Sequence, residues 1–105
     1  MYLTLRKAVL EQSGLNVIGV TSADEALKTL REAPVCATIA DHMLQGTTGT
    51  SLAKKIKQLK PDVPVILFSG KVPKRLNGVD VYINKGEPTA EFLRIVWEVV
   101  ERYCS

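Results

Sequence analysis

The chain has 105 residues, 46% of them hydrophobic and 24% charged, which is enough to bury one core without disulfides or metal and too apolar for a disordered segment. Its longest apolar runs fall far short of the roughly 20 residues that a membrane-spanning helix requires. Fourteen Lys and Arg against eleven Asp and Glu leave a formal charge of +3, and no aromatic platform or base-reading motif accompanies the excess to suggest nucleic acid.

In chain order, Leu5 and Val9, with Leu3 and Leu10 beside them, fall on a helical period, and Ser13-Gly14 supplies the stop. Asn16 to Thr21, NVIGVT, reads as a short strand. Ser22 then begins a capping box with Glu25 three residues on, opening a helix to about Glu32 whose inner face is Ala26, Leu27 and Leu30. Pro34 separates it from an apolar strand, Val35 to Ala40. A glycine-containing loop follows, then a third helix from Ser51 to Lys60 ended by Pro61. Lys54, Lys55, Lys57 and Lys60 are spaced around Leu52, Ala53, Ile56 and Leu59 as the solvent face of that helix.

Val63 to Phe68, VPVILF, is apolar at consecutive positions, the mark of a parallel strand covered by helices on both faces. The stretch from Lys71 to Gly78 reads as a loop or one irregular helical turn, and Val79 to Ile83 as the last strand. Glu87-Pro88-Thr89 opens the final helix. Phe92, Val96, Val99, Val100 and Tyr103 form its apolar stripe, and Leu93, Ile95 and Trp97 widen it beyond one face, suggesting deep burial or a second contact surface. The alternation predicts an α/β fold of one domain, residues 1–105, with a parallel sheet between helical layers.

Met1 is followed by Arg6 and Lys7 and then by Glu11, Gln12 and Ser13, without the apolar core and cleavage site of a secretory signal, so a cytoplasmic chain is expected. Cys36 and Cys104 lack metal-ligand spacing and are expected to be reduced thiols.

Three polar residues end or follow the apolar strands: Asp41, Ser69 and Lys85. Parallel strands deliver such residues to one rim, where open α/β sheets place their ligand sites. His42 beside Asp41 is expected to be a solvent-facing loop residue, since no G-x-S-x-G elbow accompanies Ser69. The glycines at 46 and 49 match neither dinucleotide-binding nor P-loop spacing.

From Leu5 to Tyr103 the chain resembles the receiver domains of two-component response regulators, in which an Asp, a Ser or Thr, and a Lys end three successive strands. Asp41, Ser69 and Lys85 match that order, and Met43, Gly49, Gly70 and Tyr82 match lesser positions of the pattern. The chain departs from it at Gln45 and Gly86, where the family usually has proline.

The resemblance implies a non-enzymatic signalling module of flavodoxin-like, three-layer αβα architecture. Asp41 would be the phosphoacceptor, Ser69 and Lys85 its phosphate-orienting partners, and Ser69 with Tyr82 a switch pair. A sensor histidine kinase or phosphotransfer protein would be the donor. The family's first strand, with its pair of acids, has no counterpart here, which leaves four expected strands. The implied Mg²⁺ site is then incomplete, with only Asp41 and the backbone carbonyl of Met43 to serve it. That gap would lie at the centre of the sheet, and with the wide apolar face of the last helix it suggests a homodimer formed by strand or element exchange. The alternative function is a degenerate, phosphate-independent receiver acting as a dimerisation or interaction module.

Overall fold

The computed structural model describes residues 4–41, 43–44, 47–72 and 78–104. Helix α1 (Thr4–Gln12) closes where Gly14 takes φ of +105°, a left-handed value that favours glycine. Ser13 fixes this end: its hydroxyl donates to the Leu10 carbonyl at 2.7 Å and accepts the Trp97 indole N–H at 3.1 Å. In helix α2 (Ala23–Glu32) the expected cap is present. The Glu25 amide donates to Ser22 Oγ, and the Glu25 carboxylate reaches back to the Thr21 amide.

Strand β1 (Thr38–Asp41) pairs in parallel with β4 (Val65–Ser69), which pairs in parallel with β5 (Val81–Asn84), so β4 is central. The expected strand Val35 to Ala40 is shortened at its start. Thr38 N–H donates to Pro64 O, and one step back the same ladder would need an amide from residue 64, which proline lacks. Between β1 and helix α3 (Gly49–Leu59) lies a short antiparallel hairpin, β2 (Met43–Leu44) with β3 (Thr47–Thr48), where the sequence indicated only a loop. Thr48 caps α3 by accepting the Ser51 amide.

Asn16 to Thr21, expected as a strand, joins no ladder. Its apolar residues fit a strand, but a strand exists only against a neighbour. Among the described residues the sheet ends at β1, and a cavity of about 490 Å³ is lined by Thr38 and Ile39 of β1 and by residues 15–18 and 20.

Two cores sandwich the sheet. On one face Ala23, Ala26 and Leu30 of α2 and Leu52, Ala53 and Ile56 of α3 pack with Ala40 and Val65. On the other, Leu10 of α1 and Phe92, Val96 and Val99 of α4 (Thr89–Cys104) pack with Ile66, Phe68 and Ile83. All five residues of β4 are buried, as the unbroken apolar run predicts for a strand covered on both sides. The three-layer α/β architecture expected from the sequence is therefore present.

The amino end of the sheet is locked around Asp80. Its amide donates to Val65 O at 2.9 Å, its carboxylate accepts the Val65 amide at 2.8 Å, and the Lys57 ammonium pairs with it at 2.6 Å. Lys57 also donates to Val63 O at 2.9 Å, so it is a clamp between α3 and the sheet and not part of the purely solvated face predicted for that helix. Gly78, with φ of +82°, lets the chain pass where a Cβ would lie 3.0 Å from the backbone of Ala53 and Lys54.

Replacing Asp80 by Ala leaves the Val65 amide without its acceptor and should lower the unfolding free energy by about 1–3 kcal/mol. Asp80→Asn retains an acceptor and should lose less. Urea midpoints at unchanged m-value measure both, and equal losses for the two variants would contradict the assignment.

Candidate functional site

At the opposite end of the sheet the register sets the rim. Asp41 closes β1 opposite Phe68, Ser69 closes β4 opposite Asn84, and Lys85 follows directly. Each side chain is thus placed by a strand whose position is fixed by pairing with β4. The three residues predicted from the sequence to converge are at one end of one parallel sheet.

Asp41 and Lys85 meet directly, with the ammonium 2.9 Å from Asp41 Oδ1. The Asp41 side chain is only 10% exposed while that of Lys85 is 40% exposed, so the carboxylate is fixed in the rim and the ammonium closes over it from solvent. Lys85 Nζ also lies 5.8 Å from the centroid of the Phe68 ring, whose electron-rich face favours a cation. Phe68 is in turn held against Phe92 of α4, with ring centroids 4.9 Å apart.

Ser69 is buried, and its hydroxyl is engaged by the loop that follows it: it donates to Lys71 O at 2.8 Å and accepts the Lys71 amide at 3.3 Å. Its carbonyl accepts two further hydrogen bonds, from the Lys85 amide at 3.0 Å and from the Tyr82 hydroxyl at 3.0 Å. The main chain of Ser69 therefore ties both Tyr82 and Lys85 to the end of β4.

Asn84 completes this network and was not singled out in the sequence. Its Nδ2 donates to Tyr82 Oη at 3.2 Å, and its Oδ1 accepts the Gly86 amide at 2.7 Å, an Asx turn that shapes the backbone around Lys85. The available signal was an Asn two residues before a Gly at the end of an apolar strand.

His42 and Gln45 lie outside the described residues. Met43, expected to offer a carbonyl to a metal, opens β2 opposite Thr48. Magnesium requires octahedral coordination by oxygen and is ordinarily held by more than one carboxylate or by substrate phosphates. Among the described residues no group of three or more His, Cys, Asp or Glu comes together, and the Asp41 carboxylate already faces an ammonium. Asp24 and Glu25 lie in the first turn of α2, and Asp80 is at the amino end of the sheet. Among the described residues the donor set does not fit a resident Mg²⁺.

The family model that describes the response regulator receiver domain matches residues 1–92. The transcriptional regulatory protein CssR of Bacillus subtilis (strain 168) is 40% identical over 62 residues, which are 59% of this chain and 27% of that protein. The chain thus spans only a small part of the curated relatives it matches. Among solved structures, a CheY-like receiver domain from Methanospirillum hungatei superposes with a TM-score of 0.86 at 24% identity, covering 95% of this chain and 85% of that one. The response regulator TrrA of Thermotoga maritima, in complex with Mg²⁺-BeF, gives 0.82 at 24% identity, covering 91% and 87%. At these identities the superpositions establish the fold.

A single carboxylate paired to a lysine should bind Mg²⁺ only weakly, so calorimetric titration of this chain should give no saturable heat below roughly 10 mM. Saturation at or below about 1 mM that is lost in Asp41→Asn would show a donor set beyond the residues named here.

Proposed function

The chain belongs to the receiver domain family of two-component response regulators, and we propose that it accepts a phosphoryl group on Asp41 from a sensor histidine kinase or phosphotransfer protein. The observation that carries this reading is the recessed Asp41 carboxylate with the Lys85 ammonium 2.9 Å away, at the rim where Ser69 also ends its strand. An Asp41 oxygen would attack the phosphorus of a phosphohistidine. The new P–O bond gives an acyl phosphate, and the P–N bond breaks with its electron pair leaving on the imidazole.

Such transfers are governed by positioning and by neutralising charge on the equatorial oxygens. Lys85, half exposed at its tip, can move from the carboxylate to a phosphoryl oxygen while keeping its place over Phe68. Ser69 could serve a second oxygen only by releasing Lys71 O. Tyr82, hydrogen-bonded to the carbonyl of the same serine, would register that change on the outer strand. The signal would thus pass from Asp41 to the β5 side of the sheet as a shift between two hydrogen-bonded arrangements.

A second reading, a phosphate-independent interaction module, is favoured by the lone carboxylate and the lack of a metal-binding cluster among the described residues. The wide apolar stripe of α4 adds no weight to a dimer. Val96, Val99 and Phe92 are core, Leu93, Ile95 and Val100 pack against that core, and Trp97 and Val100 wall the cavity within the chain.

Incubation with a small phosphodonor should add one phosphoryl mass that hydroxylamine removes. Asp41→Asn should abolish the addition, and Lys85→Met should reduce its rate by about 10²-fold or more through loss of a charged partner at the reacting group. An unmodified wild-type chain would decide for the phosphate-independent module.

A further inference from the structure

We propose that Asn84 is a positioning residue that couples Lys85 to Tyr82, its carboxamide holding at one end the turn that carries the lysine and at the other the tyrosine hydroxyl. The consequence for phosphoryl transfer rests on the reading of Asp41 as acceptor; the coupling itself does not.

Residues 85–90 are all exposed, and the half-buried Asn84 closes β5 just before them. Packing does little to place the main chain of Lys85, so hydrogen bonds must. Three consecutive amides are engaged: that of Lys85 by the Ser69 carbonyl at 3.0 Å, that of Gly86 by Asn84 Oδ1 at 2.7 Å, and that of Glu87 by the Asn84 carbonyl at 3.0 Å. Two of these three acceptors belong to Asn84, and the turn takes its shape from them. The fit is close, since a Cβ at position 86 would lie 3.1 Å from Asn84 Oδ1.

The other end of the carboxamide meets Tyr82. Residues 82 and 84 are two apart on one strand and so share a face, and Asn84 Nδ2 donates to Tyr82 Oη at 3.2 Å. Chemistry fixes the direction of every bond in this set. The Gly86 amide can only donate, so Oδ1 faces it and Nδ2 faces the tyrosine. Tyr82 Oη, accepting there, gives its own proton to the Ser69 carbonyl at 3.0 Å, the same atom that accepts the Lys85 amide. The chain of bonds thus returns to the backbone of the lysine. Because the carboxamide is planar, releasing the tyrosine hydroxyl frees one end of a rigid group whose other end shapes the turn. Tyr82 and Lys85 are thereby linked by a route that does not run through Asp41.

The test uses the full chain and three variants. Asn84→Ala removes both side-chain contacts, Asn84→Ser keeps an acceptor for the Gly86 amide, and Tyr82→Phe removes only the hydroxyl. Two readouts need no phosphate: solvent exchange of the Gly86 amide by NMR, and acylation of Lys85 by a small amine-reactive ester, scored by mass spectrometry against the exposed Lys54. Asn84→Ala should speed Gly86 exchange by about tenfold, as expected for one lost hydrogen bond, and raise Lys85 acylation relative to Lys54. Asn84→Ser should recover most of both. Tyr82→Phe should also speed Gly86 exchange, by about threefold, through the freed carboxamide. Wild-type exchange in Tyr82→Phe would mean that Asn84 serves the turn alone and would overturn the proposal, as would unchanged Lys85 acylation in Asn84→Ala. With a small phosphodonor, Asn84→Ala should lower the maximal rate of phosphoryl addition by about tenfold at an unchanged half-saturating donor concentration. A wild-type rate in that variant would overturn the positioning role. If the wild-type chain takes no phosphate, the reading of Asp41 fails, and exchange and acylation still decide the coupling.

Discussion

Among the described residues β4 is the one strand with a hydrogen-bonded neighbour on each side, and its five buried residues lie between the two cores. Ile66 and Phe68 belong to the cluster under α1 and α4, while Val65 belongs to the cluster under α2 and α3. Because side chains alternate along a strand, a slip of one residue against either neighbour would turn an apolar set out of its core. That constraint fixes the register, and the register fixes the rim. Asp41 sits opposite Phe68, Ser69 opposite Asn84, and Lys85 next beyond, so the 2.9 Å ion pair is a consequence of how β4 is buried.

The two ends of this strand carry different tasks. At the amino end, Asp80 exchanges two hydrogen bonds with Val65 and is backed by Lys57, a closed arrangement in which every charge has its partner. At the carboxyl end, the Ser69 carbonyl gathers Tyr82 and Lys85, while the serine hydroxyl and the lysine ammonium hold partners they can exchange. A hydrogen-bonded ion pair thus closes one end of the sheet, and the groups to which an exchange of partners is assigned by the proposed function are at the other. Such a division would suit the exchange of partners proposed for the rim.

Whatever is encoded locally was legible in the sequence. Helical period, the Ser22–Glu25 cap, the stop at Gly14 and the unbroken run of β4 each depend on residues a few positions apart, and each is found in the structure. Asp41, Ser69 and Lys85 could be brought together from the sequence because parallel strands place their ends at one rim whatever the details of packing. Features set by distant partners were hidden. Lys57 has the same chain context as Lys54 and Lys55, and only Asp80, far along the chain, distinguishes it. Asn16 to Thr21 carries a strand's side chains but has no strand to lie against. The late start of β1 comes from Pro64, the residue just before the neighbouring strand.

The open edge of β1 and the rim are joined through Asp41. It is the last residue of β1, and its carboxylate faces the Lys85 ammonium. Edge strands are commonly blunted by charge, proline or short length. Here the edge is only four residues long and lies between helical layers, with Asp41 at its end. Cavity and rim are therefore two parts of one strand's environment.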